Sequence, residues 1–228
     1  MQVFSPLAQL TADFLQSQAG QDFLPELTSL QTVVENNLGH DHQSVFDHTV
    51  AVMRALEVNL PGEFLSATNQ LKFQNYFQQK ITQHSRADLM RLAVLVHDLT
   101  KGETLVTQSD GVTSCPAHEI LAAARVVEFQ DRFELDQTEV EWTQQVVRLH
   151  GGPHGLLELG LAKPNQQAEI LHQFVIGVDH QAIELLLMVL ADLQGADFAK
   201  IAPTEFSAKT NLCQNWLQQL VDKQCKFL

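Results

Sequence analysis

The stretch LAVLVHDLTKGET, residues 92–104, decides how the chain is read. An apolar run, Leu92 to Val96, leads straight into His97 and Asp98, with Lys101 one turn later. Burying a lone carboxylate or imidazole costs several kcal/mol unless the group is paired or metal-bound. A titratable pair at the end of an apolar helix therefore demands partners from elsewhere in the chain. The dipeptide is weak evidence by itself, because a second one, His40-Asp41, stands in NNLGHDHQS. That pair follows Gly39 among polar residues, and nothing about it requires a metal.

Outward from this stretch the sequence reads as helix after helix. SVFDHTVAVMRALEV (44–58) has apolar residues at 45, 46, 50, 53 and 56, with Ser44 as a candidate N-cap. GEFLSATNQLKFQNYFQQKITQ forms a more polar segment. RADLMRLAVLVHDLTKG follows, with Gly102 as its expected stop. Residues 103–115 hold turn formers and read as a loop, after which Pro116 is placed to open a helix over PAHEILAAARVVEFQDRF. DQTEVEWTQQVVRLH runs to His150, where GGPHG breaks the pattern. NQQAEILHQFVIGV, HQAIELLLMVLADLQGA and a closing segment, TEFSAKTNLCQNWLQQLVDKQ, complete an all-α expectation with no strand pattern. A single domain over 1–228 is expected, with a core at about 25–197 and a C-terminal helical extension at about 203–223.

Composition narrows the partners. The 228 residues include 14 Lys and Arg against 27 Asp and Glu, a formal charge of −13. Counterion release on nucleic acid needs clustered cations, so general nucleic-acid binding is not expected, nor is an anionic membrane. A phosphate-bearing substrate would need local positive charge, which bound cations supply. Cys115, Cys213 and Cys225 form no CxxC motif and suggest a reducing setting. With no signal-peptide pattern and no apolar run long enough for a bilayer, a cytoplasmic protein is expected. Oligomeric state is not readable.

Six side chains stand out as ligands: His48, His97, Asp98, His118, His150 and Asp192. They come from five helices, so no local period forces their types, and several interrupt apolar stretches such as VVRLHG and LMVLADLQ. One shared metal site would satisfy them together. His154 reads as a loop residue, His84, His172 and His180 as surface or packing residues, and Arg91 as half of a structural salt bridge. Glu119 could orient a ligand or face solvent.

A His, then His-Asp after an apolar run, then a distant Asp resembles the HD-domain metal-dependent phosphohydrolases over roughly residues 25–197. The segments LPELTSLQTVVENNLGHDHQSVFDHTVAVM, LMRLAVLVHDLTKGET and CPAHEILAAARV are most similar to the HD domain of bacterial CCA-adding tRNA nucleotidyltransferases. No nucleotidyltransferase domain stands in front, so a stand-alone HD-domain helical bundle is expected. The resemblance implies His48, His97, Asp98 and Asp192 as ligands of a first metal, and His118 and His150 as those of a second, with Asp98 bridging. It also implies a catalytic part for Asp98 and for Lys101, which fits an HDxxK form and would hold a phosphate oxygen. The donor set favours one or two divalent transition ions (Mn, Fe, Co, Ni or Zn) over Mg. The expected activity is hydrolysis of a small phosphorylated metabolite, a nucleotide or cyclic nucleotide, by a metal-activated water. Two other readings share the ligand order: a di-iron oxygenase of the same fold, and a non-catalytic nucleotide-binding module.

Overall fold

A computed structural model describes residues 6–224. Cys225 lies outside them. Among the described residues, nine helices of eight or more residues build the fold: α1 Val45–Asn59, α2 Ala67–Gln78, α3 Arg86–Val96, α4 His118–Arg125, α5 Gln137–Leu149, α6 Gly152–Ala162, α7 Gln167–Val178, α8 Ala182–Gly195 and α9 Pro203–Gln224. Shorter helical turns precede α1. The protein is mainly all-α, as its periodicity implies.

The helix starts are written in side chains. The Ser44 hydroxyl accepts from Asp47 N at 3.0 Å, and Ser85 does the same for Asp88 N at 3.1 Å. Asp136 and Glu139 close a capping box at the start of α5. Each satisfies a backbone N–H that has no partner inside its helix.

Helix α8 is buried on nearly every face, as expected of a helix that is apolar all round. It lies chiefly against α1, and Gly195 permits that approach. A Cβ there would fall 2.5 Å from Val52 Cγ2 and 2.6 Å from Val52 N. On its other side α8 carries α9, whose Trp216 is buried and fits against Gly160 of α6.

Several boundaries differ from expectation. Helix α3 ends at Val96, and His97 already occupies its cap position, so Gly102 is not the stop. It falls instead within a short turn of helix, Lys101–Thr104. The expected loop at 103–115 folds into a hairpin of strands Val106–Thr107 and Thr113–Ser114, and a second antiparallel pair joins Val34–Asn36 to Asp41–Ser44. Strands this short carry no readable alternation. Asn36 N donates to Thr113 Oγ1 at 2.8 Å, tying the two hairpins together. Pro116 does not open α4, because Ala117 takes a left-handed φ of 60° and the helix starts at His118. The break at GGPHG is brief, with only His150 and Gly151 between α5 and α6. Pro153 then sits in the first turn of α6, where its missing N–H costs nothing.

Candidate metal centre

Asp98 is the hub. It is 1% exposed, in the turn after α3. Its Oδ2 faces His97 Nε2 at 3.1 Å and His48 Nε2 at 3.4 Å, and its Oδ1 faces His118 Nε2 at 3.2 Å and His150 Nε2 at 3.9 Å. Two candidate metal groups result, His48–His97–Asp98 and Asp98–His118–His150, and they share this carboxylate. Asp192 adds its Oδ1 at 2.9 Å from His48 Nε2. The structure therefore brings all six candidate ligands together, from positions up to 144 residues apart (192 − 48).

Three of the imidazoles are aimed by a backbone carbonyl three residues earlier in the chain. His97 Nδ1 meets Val94 O, His118 Nδ1 meets Cys115 O, and His150 Nδ1 meets Val147 O, each at 2.7 Å. A carbonyl can only accept, so Nδ1 carries the hydrogen and Nε2 is the free position turned toward Asp98. Metal-binding histidines are oriented in the same way by a carbonyl or carboxylate on the distal nitrogen.

The donor set fits a metal. Nε2 of His48, His97 and His118 and both oxygens of Asp98 are buried without a well-formed hydrogen bond, their near contacts being one another, Lys101 Nζ at 2.8 Å from Asp98 Oδ2 and Asp192 Oδ1 at 2.9 Å from His48 Nε2. Buried polar groups are normally satisfied, so five such atoms facing one another form a coherent exception. Their separations of 3.1–3.4 Å match neighbouring ligands about 3.0–3.4 Å apart around an ion with bonds of about 2.1 Å.

Electrostatics favour positive charge at this point. Burial works to raise the Asp98 pKa, but His97, Lys101 and His118 hold it well below the usual carboxylate range. Burial opposes ionisation of His97 and His118 too, yet Asp98 outweighs it and raises both. His150 goes the other way. Burial, with His97 beside it, pushes its pKa down to about 3, leaving a neutral imidazole ready to ligate. Asp192 stays ionised because contacts from His154 and His48 outweigh its burial.

Lys101 is 7% exposed and bridges two carboxylates, Asp98 Oδ2 at 2.8 Å and Glu35 Oε2 at 2.7 Å. Glu119 Oε2 lies 3.4 Å from His118 Nδ1, half-buried. Arg91 reaches Asp88 at 3.8 Å, His84 is bonded to Glu139, and His172 and His180 are exposed.

Three residues of the site were not legible beforehand. Glu35 is buried under Lys101 because the first hairpin turns it inward. His40, dismissed with Asp41, is buried with its ring 4.6 Å from that of His48, whereas Asp41 is exposed. The β-branched run TVV before NNLG was the one available hint of a hairpin there. His154 is no loop residue: from the first turn of α6 its Nε2 meets Asp192 Oδ2 at 2.7 Å. Apolar residues at 153, 156 and 157 gave the signal for that helix.

The edge of the cluster opens on a cavity of about 220 Å³, whose lining includes Asp192, His40, His154, Phe198 and Lys209. Lys101 does not line it.

No protein-family model matches the chain, and no curated protein matches it. The helical architecture and the buried His/Asp cluster are compatible with an HD-like fold. Among the described residues, no single helix is long and apolar enough to cross a membrane.

Proposed function

We propose that the protein is a metal-dependent phosphohydrolase acting on a small phosphorylated metabolite, with nucleotides and cyclic nucleotides the first class to test. The observation that carries the reading is the shared carboxylate, Asp98, with each oxygen facing its own histidine pair in a buried cluster. Divalent transition ions held by His48, His97, Asp98, His118, His150 and Asp192 would polarise a phosphoryl group, lower the pKa of water and offset charge on the attacking and leaving oxygens.

The chain's own groups support that chemistry. The carbonyls of Val94, Cys115 and Val147 hold three imidazoles in the ligating tautomer. The ionised Asp98 and Asp192 supply the negative charge that a cation pair needs. Lys101 offsets part of that charge and, with Glu35, fixes the Asp98 carboxylate in place. His154 orients Asp192 from the cavity side. Apolar packing behind Leu92–Val96 keeps bulk water from the hub, so its charges act in a low dielectric.

The test is phosphomonoesterase and phosphodiesterase turnover after stripping and reloading with Mn, Co or Ni, in wild type and in Asp98→Ala. Turnover in the loaded wild type alone is expected. A loaded wild type inert across a broad nucleotide panel removes the hydrolase reading. The same histidine-rich donor set also suits a di-iron pair acting as an oxygenase. An iron EPR signal under controlled oxidation, with oxygen-dependent turnover, would favour that second reading.

A further inference from the structure

Helix α4 is apolar on two faces. Ala122, Ala123 and, in the turn Val126–Phe129 that follows, Val126 and Phe129 are buried in the core. The opposite face is apolar too, but it meets solvent: Ala117, Ile120, Leu121, Ala124 and Val127 recur there at helical spacing. Ile120 is 62% exposed, Leu121 43% and Val127 50%. Among the described residues, no other helix exposes more than one large apolar side chain. A helix that is apolar all round is normally buried all round, and a contiguous exposed apolar patch marks an interaction site.

A cleft of about 370 Å³ adjoins this stripe, because Arg125 and Glu128 line it from the C-terminal end of α4. Its lining includes the apolar Leu30, Val33 and Leu99, together with Glu26 and Glu103. Arg125 is shared between Glu103 Oε1 at 2.7 Å and Glu128 Oε1 at 3.1 Å, and Arg132, outside the lining, reaches Glu26. Two guanidiniums against three carboxylates leave one negative charge over, and Glu103 and Glu128 both stand exposed.

We propose that the stripe and the cleft together dock a basic, amphipathic helix of a partner protein. Its apolar face would lie on Ile120, Leu121 and Val127, and one Lys or Arg side chain would enter the cleft. Charge complementarity decides between occupants. A second copy of the chain brings the same formal charge of −13 and the same acidic rim, and net charge of that size opposes self-association. A basic helix reverses both. Helix docking also relies on apolar anchors at i, i+3, i+4 and i+7, the spacing that α4 presents. Leu99, Thr100 and Gly102 line the cleft beside Asp98 and Lys101, and Thr100 Oγ1 donates to His118 O at 2.9 Å. An occupant therefore bears on the back of the turn that carries the metal hub. The surface itself stands whether or not that centre is hydrolytic.

The experiment is fluorescence anisotropy of a labelled synthetic peptide of leucine and lysine, with its leucines at helical spacing, titrated with the full chain. An isomer of the same composition with alternating leucines is the comparison, and it should bind more weakly. Ile120→Gln/Leu121→Gln should weaken the helical peptide by at least about tenfold, the scale of a lost interface anchor. Glu103→Gln/Glu128→Gln should weaken it several-fold and flatten its salt dependence. Ile176→Gln, an exposed isoleucine on α7, is the unaltered control. All these side chains are exposed, so circular dichroism and metal content should not change. If the Ile120→Gln/Leu121→Gln chain does not fold, Val127→Gln, expected to act in the same direction, decides. Equal affinity for the two peptides overturns the proposal, as does wild-type affinity in the folded stripe variants. A wild-type dimer in sedimentation velocity that the same substitutions dissolve would overturn it too, giving the face to a second copy.

Discussion

Replacing Asp98 by Asn probes the centre most directly, because one carboxylate serves both histidine groups. Its Oδ2 stands 3.1 and 3.4 Å from His97 and His48, and its Oδ1 stands 3.2 and 3.9 Å from His118 and His150. Asn keeps the shape and loses the charge, so both groups lose their shared anion at once. His150→Gln removes a donor from one group only. With free metal at 100 times its dissociation constant, each bound ion stabilises the fold by about 2.7 kcal/mol. Two independent ions give about 5 kcal/mol. For a chain of this size, about 2–4 °C of melting temperature accompanies each kcal/mol, so full loading should raise Tm by about 10–20 °C. His150→Gln should keep about half of that rise, and Asp98→Asn almost none. Metal per chain, measured by mass spectrometry after dialysis, should fall in step from two to one to none. An Asp98→Asn protein that retains both its ions and its thermal shift would refute the shared-carboxylate reasoning. Equal, complete loss in His150→Gln would refute the two separable groups.

Three further outcomes follow from the same geometry. Gly195→Ala places a methyl 2.5 Å from Val52 Cγ2; urea unfolding should show a loss of about 1–3 kcal/mol. Metal affinity should weaken with it, since α1 and α8 carry His48 and Asp192, and unchanged values in both assays would contradict the close approach. Glu35→Gln leaves Lys101 with Asp98 alone and should cost about 1.5–3 kcal/mol in the metal-stripped protein, the scale of a charged hydrogen bond; a silent substitution would mean that the buried pair contributes nothing. The folded His150 pKa of about 3 lies below the ordinary value of about 6.5, so the unfolded chain takes up that proton first as pH falls. Wild-type stability relative to His150→Gln, without metal, should therefore decline by up to about 1.4 kcal/mol per pH unit below about 6.5. A flat difference between pH 7 and 5 would show that His150 is not held neutral.

What the sequence disclosed follows from how far each signal reaches along the chain. The helices were legible because a cap such as Ser44 and the apolar spacing of α1 act within a few residues. The ligands were legible because His97, His150 and Asp192 interrupt apolar runs, and a polar interruption on a buried face is conspicuous in one dimension. Glu35 and His40 gave no such sign. Glu35 sits on a strand of three residues and His40 just before the partner strand of four, and the hairpin that carries them is tied to Thr113, 77 residues from Asn36. His154 stayed hidden because Gly151, Gly152 and Pro153 suggest a turn, while the backbone uses the proline to begin a helix. The cavity wall was hidden for a third reason. Phe198 and Lys209 line the cavity only because α9 packs back along α8, and nothing local encodes that return.

The three imidazoles tied to backbone carbonyls three residues earlier give the centre a property of a different kind. Their ring directions are set by the backbone turn each residue sits on, so they need no ion to line up. The centre is thus a socket that precedes its plug, in contrast to sites where the metal gathers loose ligands and folds the chain around itself. A metal held in such a socket would be removed by a chelator and restored while the helices stay in register. The choice among cations would then rest on fixed spacing and on which ion the surroundings supply.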